Sequence, residues 1–228
     1  MSDRCPYDLC DGSGLRYDAS TNTSYDCRCR PQVVARARAR SLSAVIPRRY
    51  RDVSFDRPPV TEIEPRIVSA VRRFATSIDE QLARGRGLWF MGPPGTGKTT
   101  LAMLVARAAL DAGRSVAIYS LPRLLNEIRD NHRADRSHID LLDRLASVDL
   151  LQIDDVGAER TTDWVLEELY SIVNARYEDQ RSIVITTNIL DRDALCEQIS
   201  ERTVSRLTEM CDELPLLGPD RRLERRIV

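Results

Sequence analysis

Apolar residues follow two rhythms along this chain. Across residues 62–84 they recur every three or four positions, at Ile63, Ile67, Val71, Phe74 and Ile78, a spacing that puts them on one stripe of an amphipathic helix. Beyond Gly87 the rhythm changes to short continuous apolar runs separated by longer mixed stretches. The runs at 88–91, 116–120, 150–153 and 183–187 are rich in Val, Ile and Leu and read as strands buried on both faces. The stretches at 98–112, 121–129 with a second piece at 138–146, and 164–180 read as helices. This alternation predicts an α/β fold, a parallel sheet flanked by helices.

Residues 1–30 carry neither rhythm. They are rich in Cys, Asp, Gly, Ser and Tyr, the composition of a small loop-rich unit that needs a staple to hold its shape. Pro31 then opens a stretch in which arginines at 36, 38 and 40 alternate with alanines, and Pro47, Pro58, Pro59 and Pro65 punctuate the approach to the main domain. The expected organisation is a Cys-rich unit at 1–30, a basic helical linker and lead-in at 31–60, and the main domain at 61–228.

Composition narrows the class. The length, 228 residues, suits one α/β domain with a small appendage. With 42% hydrophobic residues, 30% charged residues and a formal charge of -1, the chain reads as an ordinary globular protein, not a disordered, membrane or strongly basic one. No apolar run approaches the roughly 20 residues that span a bilayer, and residues 1–10 are polar and acidic, unlike a signal peptide. The cytoplasm is the expected compartment, and no membrane partner is expected.

The segment Gly92, Pro93, Pro94, Gly95, Thr96, Gly97, Lys98, Thr99 fits the phosphate-loop pattern G-x-x-x-x-G-K-[ST] in full, and Thr100 follows it. It lies after a predicted strand and before a predicted helix, the context that the chemistry requires. Backbone N–H groups and the helix N-terminus then converge on phosphates, Lys98 reaches the β and γ phosphates, and the Thr99 hydroxyl is placed to ligate Mg²⁺. Lys98 is also the single lysine among 34 Lys and Arg residues. A compact, flexible ammonium suits this position where a planar guanidinium does not, although an arginine-biased chain could leave one lysine here by chance.

Such a loop requires an acidic partner for the metal. The apolar run at 150–153 ends in Asp154 and Asp155, which places two carboxylates at the carboxyl edge of the sheet. Asp154 is expected to hold Mg²⁺ through water and Asp155 to polarise the attacking water. Asn188 ends the run at 183–187 and is placed to orient that water, though Thr-Asn also commonly just ends a strand.

Taken together, 92–100, 151–160 (LQIDDVGAER), 164–177 (WVLEELYSIVNARY), 186–188 (TTN) and 201–207 (ERTVSRL) resemble the DnaC/DnaI/IstB group of AAA+ proteins. The resemblance covers about residues 46–222 and includes a lead-in segment at 46–55 (IPRRYRDVSF). It implies an AAA+ P-loop NTPase core and ATP hydrolysis, with Asn188 as the sensor 1 residue. It also implies an arginine finger that reaches a neighbouring subunit's γ-phosphate: Arg206, with Arg202 a turn earlier as its rival. Best-known members load a replicative hexameric helicase onto DNA, whereas IstB-like members assist a transposase. The chain ends soon after 218–222 (GPDRR), so no helical lid is expected. Arg222 falls where related chains carry a terminal arginine, or it belongs to a charged tail.

Cys5 and Cys10, with Cys27 and Cys29, offer four thiolates for tetrahedral Zn²⁺, and Gly12 and Gly14 allow the turn after the second. Free thiols or a redox pair are the alternatives. Loaders similar to this chain often carry such a zinc unit at the N-terminus and use it to grip the helicase, which favours a loader over a transposition helper. Arginines at 28, 30, 36, 38 and 40 form a basic stretch for phosphates or an acidic surface. No aromatic platform accompanies them, so single-stranded DNA as a partner follows from the family alone, as does self-association on ATP binding. His132 and His138 have no metal-ligand partners at sensible spacing. A small P-loop kinase remains the reading from another class; it would act as a monomer.

Overall fold

The computed structural model describes residues 5–31, 33, 46–131, 135–158 and 162–221. The arginines at 36, 38 and 40, His132, the His138 side chain and Arg222 lie outside the described residues.

A two-stranded antiparallel hairpin comes first, β1 (Leu15–Asp18) and β2 (Thr23–Asp26), with Leu15 opposite Asp26 and Asp18 opposite Thr23. The main sheet has five strands: β3 (Gly87–Met91), β4 (Val116–Ser120), β5 (Leu150–Val156), β6 (Ser182–Thr187) and β7 (Cys211–Pro215). Their spatial order is β4-β5-β6-β3-β7, and every neighbouring pair is parallel. The phosphate-loop strand β3 therefore sits between β6 and β7, one strand removed from the acidic strand β5.

Helices cover both faces of the sheet, which is why the strands read as unbroken apolar runs. Successive side chains of β3 diverge: Leu88 and Phe90 enter one cluster with Val71, Phe74, Leu101, Leu104 and Val184, whereas Trp89 and Met91 enter another with Leu124, Leu145, Leu151, Leu169 and Ile185. The first cluster lies under α1 (Pro65–Thr76), α2 (Ile78–Ala83) and α3 (Lys98–Asp111). The second lies under α4 (Leu121–Asn131), α5 (Asp135–Ser147), α6 (Asp163–Glu178), α7 (Arg192–Ile199) and α8 (Glu201–Met210). Among the described residues no helical lid follows β7.

The structure adds the β1–β2 hairpin and α7 to the expected elements and departs from them at three further places. The helix expected over 62–84 breaks at Ser77. There the hydroxyls of Thr76 and Ser77 donate to the carbonyls of Arg72 and Arg73 at 2.8 and 3.0 Å, the back-bonding that bends helices. Strand β7 was not among the expected strands because it is an edge: Asp212, Glu213 and Pro215 are exposed, and an edge strand tolerates charge and proline. Strand β5 runs past residue 153 through both aspartates to Val156.

Two arginines hold the frame. Arg176, fully buried at the end of α6, donates to the carbonyls of Leu145 (2.6 Å), Val148 (3.0 Å) and Ser182 (2.5 Å). It thereby satisfies the carboxyl end of α5 and anchors it to the start of β6. Arg107 on α3 donates to the carbonyls of Tyr50 and Val53, and Ile46, Val53 and Phe55 pack on the first cluster. The lead-in segment is thus hooked over the phosphate-loop helix.

Candidate functional site

Strand β3 delivers the chain into the loop at 92–97, and α3 starts at Lys98. Glycine is needed at Gly97, which caps α3 with a left-handed backbone (φ 104°) and where a Cβ would come 2.5 Å from Ile63 Cδ1. At Gly95 (φ 79°) a Cβ would collide with Asp220 at 1.8 Å, so the segment beyond β7 passes directly over the loop. Lys98 is only 5% exposed, and its ammonium donates to the carbonyls of Gly92 (2.7 Å) and Pro93 (2.8 Å). Thr96 closes the turn by donating to the Pro93 carbonyl at 3.0 Å.

The Thr99 hydroxyl lies 2.9 and 3.1 Å from the two carboxylate oxygens of Asp154 and donates to that group. This contact joins the phosphate loop to the acidic strand end. Burial raises the Asp154 carboxyl, the Asp155 charge adds to the rise, and the hydroxyls of Thr186 and Thr99 together with Lys98 only partly offset it; its pKa lies above the usual carboxylate value. A partly desolvated carboxylate beside a hydroxyl that keeps lone pairs suits a hard divalent cation, so Asp154 and Thr99 fit Mg²⁺.

Asp155 stands in a bulge. Ile153 pairs with Ile185 and Val156 with Thr187, so two aspartates oppose one residue, Thr186. A regular strand would send Asp154 and Asp155 to opposite faces. The bulge, with φ 58° at Asp155, lets Asp154 reach Thr99 while Asp155 lines the cleft above.

That cleft, about 590 Å³, brings Pro94, Gly95, Gly97, Lys98, Thr99 and Thr100 together with Asp155 and Asn188. Gly92, Pro93 and Thr96 contribute from behind, through the loop's own hydrogen bonds. Arg49, Tyr50 and Pro59 from the lead-in segment, and Arg221 beyond β7, also line the cleft. None of these four was singled out as a site residue from the sequence. Arg107 positions Tyr50 through a contact spanning 57 residues, and no local pattern reveals it. Arg221 pairs with Glu62 at 3.7 Å, and its backbone N–H donates to Gly95; it is the immediate neighbour of Arg222, the arginine noted in the sequence.

Arg206 does not enter the cleft of its own chain. It lies on α8 with its guanidinium 4.7 Å from the Tyr170 ring and 5.4 Å from the Tyr177 ring, a cation–π arrangement that fixes its direction. Arg202 is exposed on the same helix.

The four N-terminal cysteines converge. Their Sγ atoms all lie within 4.8 Å of one another, with Cys5 to Cys27 at 3.7 Å and Cys10 to Cys29 at 3.4 Å. Zinc–sulfur bonds of about 2.3 Å in a tetrahedron imply sulfur separations of about 3.8 Å, so the donor set fits Zn²⁺. Burial raises the Cys5 thiol, but the N–H groups of Leu9 and Tyr7 and the thiols of Cys29 and Cys10 together outweigh it and bring Cys5 down to about 6. At Cys29 burial and then the thiols of Cys10, Cys27 and Cys5 act together and push it up to about 12. Four thiolates this close repel one another, so they do not all ionise unaided. A divalent cation would remove that conflict.

Comparison with known proteins agrees with this geometry. The family model described as IstB-like ATP binding protein matches residues 36–226. The replicative helicase loader DnaC of Escherichia coli (strain K12) is 28% identical over 160 residues, which cover 69% of this chain and 64% of that protein. A crystal structure of the DnaC helicase loader superposes with a TM-score of 0.65 at 27% identity, over 75% of this chain and 100% of that one. The crystal structure of DnaI shares the fold, with a TM-score of 0.59 at 23% identity over 81% of this chain and 99% of that one. The chain spans 54% to 64% of the length of the curated relatives it matches. No helix among the described residues is long and apolar enough to cross a membrane. On this match and this sheet, the chain belongs to the IstB-like ATP-binding protein family, with the P-loop AAA+ core that DnaC also carries.

Proposed function

We propose that this chain is an ATP-hydrolysing loader of a replicative hexameric helicase. The observation that carries the catalytic half is the Thr99–Asp154 contact, which joins the phosphate loop to the acidic strand end beside the cleft that Asp155 and Asn188 line. ATP binds across the loop from Gly92 to Thr100, with Lys98 on the phosphates. Mg²⁺, held by Thr99 and Asp154, supplies charge neutralisation at the phosphates. Asp155 accepts a proton from the attacking water and Asn188 orients it. Arg206 acts on a neighbouring subunit's γ-phosphate, so hydrolysis depends on self-association promoted by ATP. In that role Arg206→Ala binds ATP normally yet loses turnover; lost binding would make Arg206 structural instead.

The loader half rests on the relatives, since proteins named replicative helicase loader match this chain. The chain is organised as a zinc unit at 1–30 held by Cys5, Cys10, Cys27 and Cys29, a basic linker and lead-in at 31–60, and the ATPase domain at 61–228. The zinc unit grips the helicase, the ATPase domain contacts single-stranded DNA when assembled, and the protein works in the cytoplasm. Capture of tagged protein from its native extract with ATP present tests this reading. Recovery of the hexameric replicative helicase, lost when residues 1–30 are deleted, is the expected result. Recovery of a transposase, or of no helicase, would overturn it.

A further inference from the structure

Thr186 is the penultimate residue of β6, after the apolar run from Ile183 to Ile185, and it is fully buried. Its hydroxyl donates to Asp154 Oδ1 at 2.6 Å and accepts the backbone N–H of Asp155 at 2.9 Å. One oxygen therefore holds the side chain of the first aspartate and the backbone of the second. It is also the single residue that the two aspartates oppose across the β-bulge. A regular ladder would leave Asp154 and Asp155 on opposite faces, and the φ of 58° at Asp155 is unfavourable for a residue with a side chain. Something must hold this kink closed, and Thr186 supplies the contact from inside the sheet.

We infer that Thr186 is a positioning residue for the reaction at this cleft, acting through both aspartates. Its proton fixes the carboxylate rotamer of Asp154, so the oxygen facing Thr99 is presented in one orientation. Its lone pair fixes the Asp155 N–H, so the strained backbone that aims the Asp155 carboxylate into the cleft does not relax. Valine has nearly the same shape but offers neither the proton nor the lone pair. It would leave the part-buried Asp155 N–H without this acceptor and Asp154 Oδ1 with Thr99 as its remaining donor.

This inference rests on the reading that Asp154 holds Mg²⁺ and Asp155 serves the attacking water, and the test separates the two. Steady-state ATP turnover and its Mg²⁺ dependence are measured for the full chain and for Thr186→Val, Thr186→Ser, Thr186→Cys, Asp154→Asn and Asp155→Asn, with thermal melts on each. For Thr186→Val, kcat falls and the half-saturating Mg²⁺ concentration rises, each about tenfold or more, the worth of a hydrogen bond to a charged group. KM for ATP at saturating Mg²⁺ stays within about threefold, and Thr186→Ser returns both quantities to within about threefold of the parent. Should Thr186→Val fail to fold, Thr186→Cys, with its weaker donor, carries the same expected Mg²⁺ shift. Thr186→Val turning over like the parent while Asp155→Asn is inactive would overturn the role of Thr186 alone. Thr186→Ser failing as badly as Thr186→Val would make the residue a packing element and overturn it too. Wild-type turnover and Mg²⁺ dependence in both aspartate variants would remove the underlying reading.

Discussion

The α/β core and the cysteine unit hold their shapes by opposite means. In the core, five parallel strands are covered on both faces, and two apolar clusters account for the geometry of the cleft without any ligand. In the cysteine unit the buried cluster is Cys5, Cys27 and Cys29, with Cys10 and Val33 against it, while Leu9, Tyr7, Leu15, Tyr17 and Tyr25 stay exposed. One region is organised by burying side chains and the other by gathering sulfur. A core of that size contributes little hydrophobic stabilisation, so a metal held by the four sulfurs would supply most of what holds the small unit together. Loss of metal and loss of packing should therefore damage different regions.

The largest effect follows from zinc. Structural zinc contributes an apparent ~10–16 kcal/mol in small cysteine modules, so chelation or a Cys5→Ser, Cys27→Ser double substitution should unfold residues 5–31 and leave the core's melting temperature nearly unchanged. Metal analysis should find about one zinc per chain. A metal-free protein with full amide protection in that unit would break the contrast between the two regions.

The converse experiment attacks the core. Arg176→Met removes the donors that satisfy the carbonyls of Leu145, Val148 and Ser182 and leaves them buried. We expect a loss of about 3–5 kcal/mol in denaturant unfolding, with zinc content intact. A loss below about 1 kcal/mol would mean that α5 and β6 are held by packing alone. The smallest effect concerns a helix start. Thr162 caps α6 by accepting the Val165 N–H at 3.3 Å, and Thr162→Ala should cost about 1 kcal/mol of core stability. No change at all would place that cap among the incidental contacts.

The same contrast explains what the sequence made legible. Strands β3 to β6 were readable because two-sided burial demands uninterrupted apolar runs, and the phosphate loop because its chemistry fixes residue types at fixed spacing. Strand β7 was not, because an edge strand beside β3 carries Asp212 and Glu213. The break at Ser77 depends on hydroxyls turning back on their own helix, which the spacing of Ile63 to Ile78 does not record. Arg49, Tyr50 and Arg221 reach the cleft through long-range contacts, the Arg107 hook and the chain's return over Gly95. Thr186 was visible as a letter, but its two hydrogen bonds depend on a β5–β6 register that shifts at the aspartates. The cysteines could be counted, and only the fold shows that all four sulfurs meet.

In the proposed function the cleft binds ATP through Lys98 and turns it over through Asp155. Nucleotide binding and steady-state turnover, measured together with Mg²⁺ for the parent, Lys98→Ala and Asp155→Asn, test it most directly. Lys98→Ala should lose binding, whereas Asp155→Asn should bind ATP like the parent and turn it over at least about a hundredfold more slowly. Turnover by Asp155→Asn at the parent rate, or undiminished ATP binding by Lys98→Ala, would contradict it.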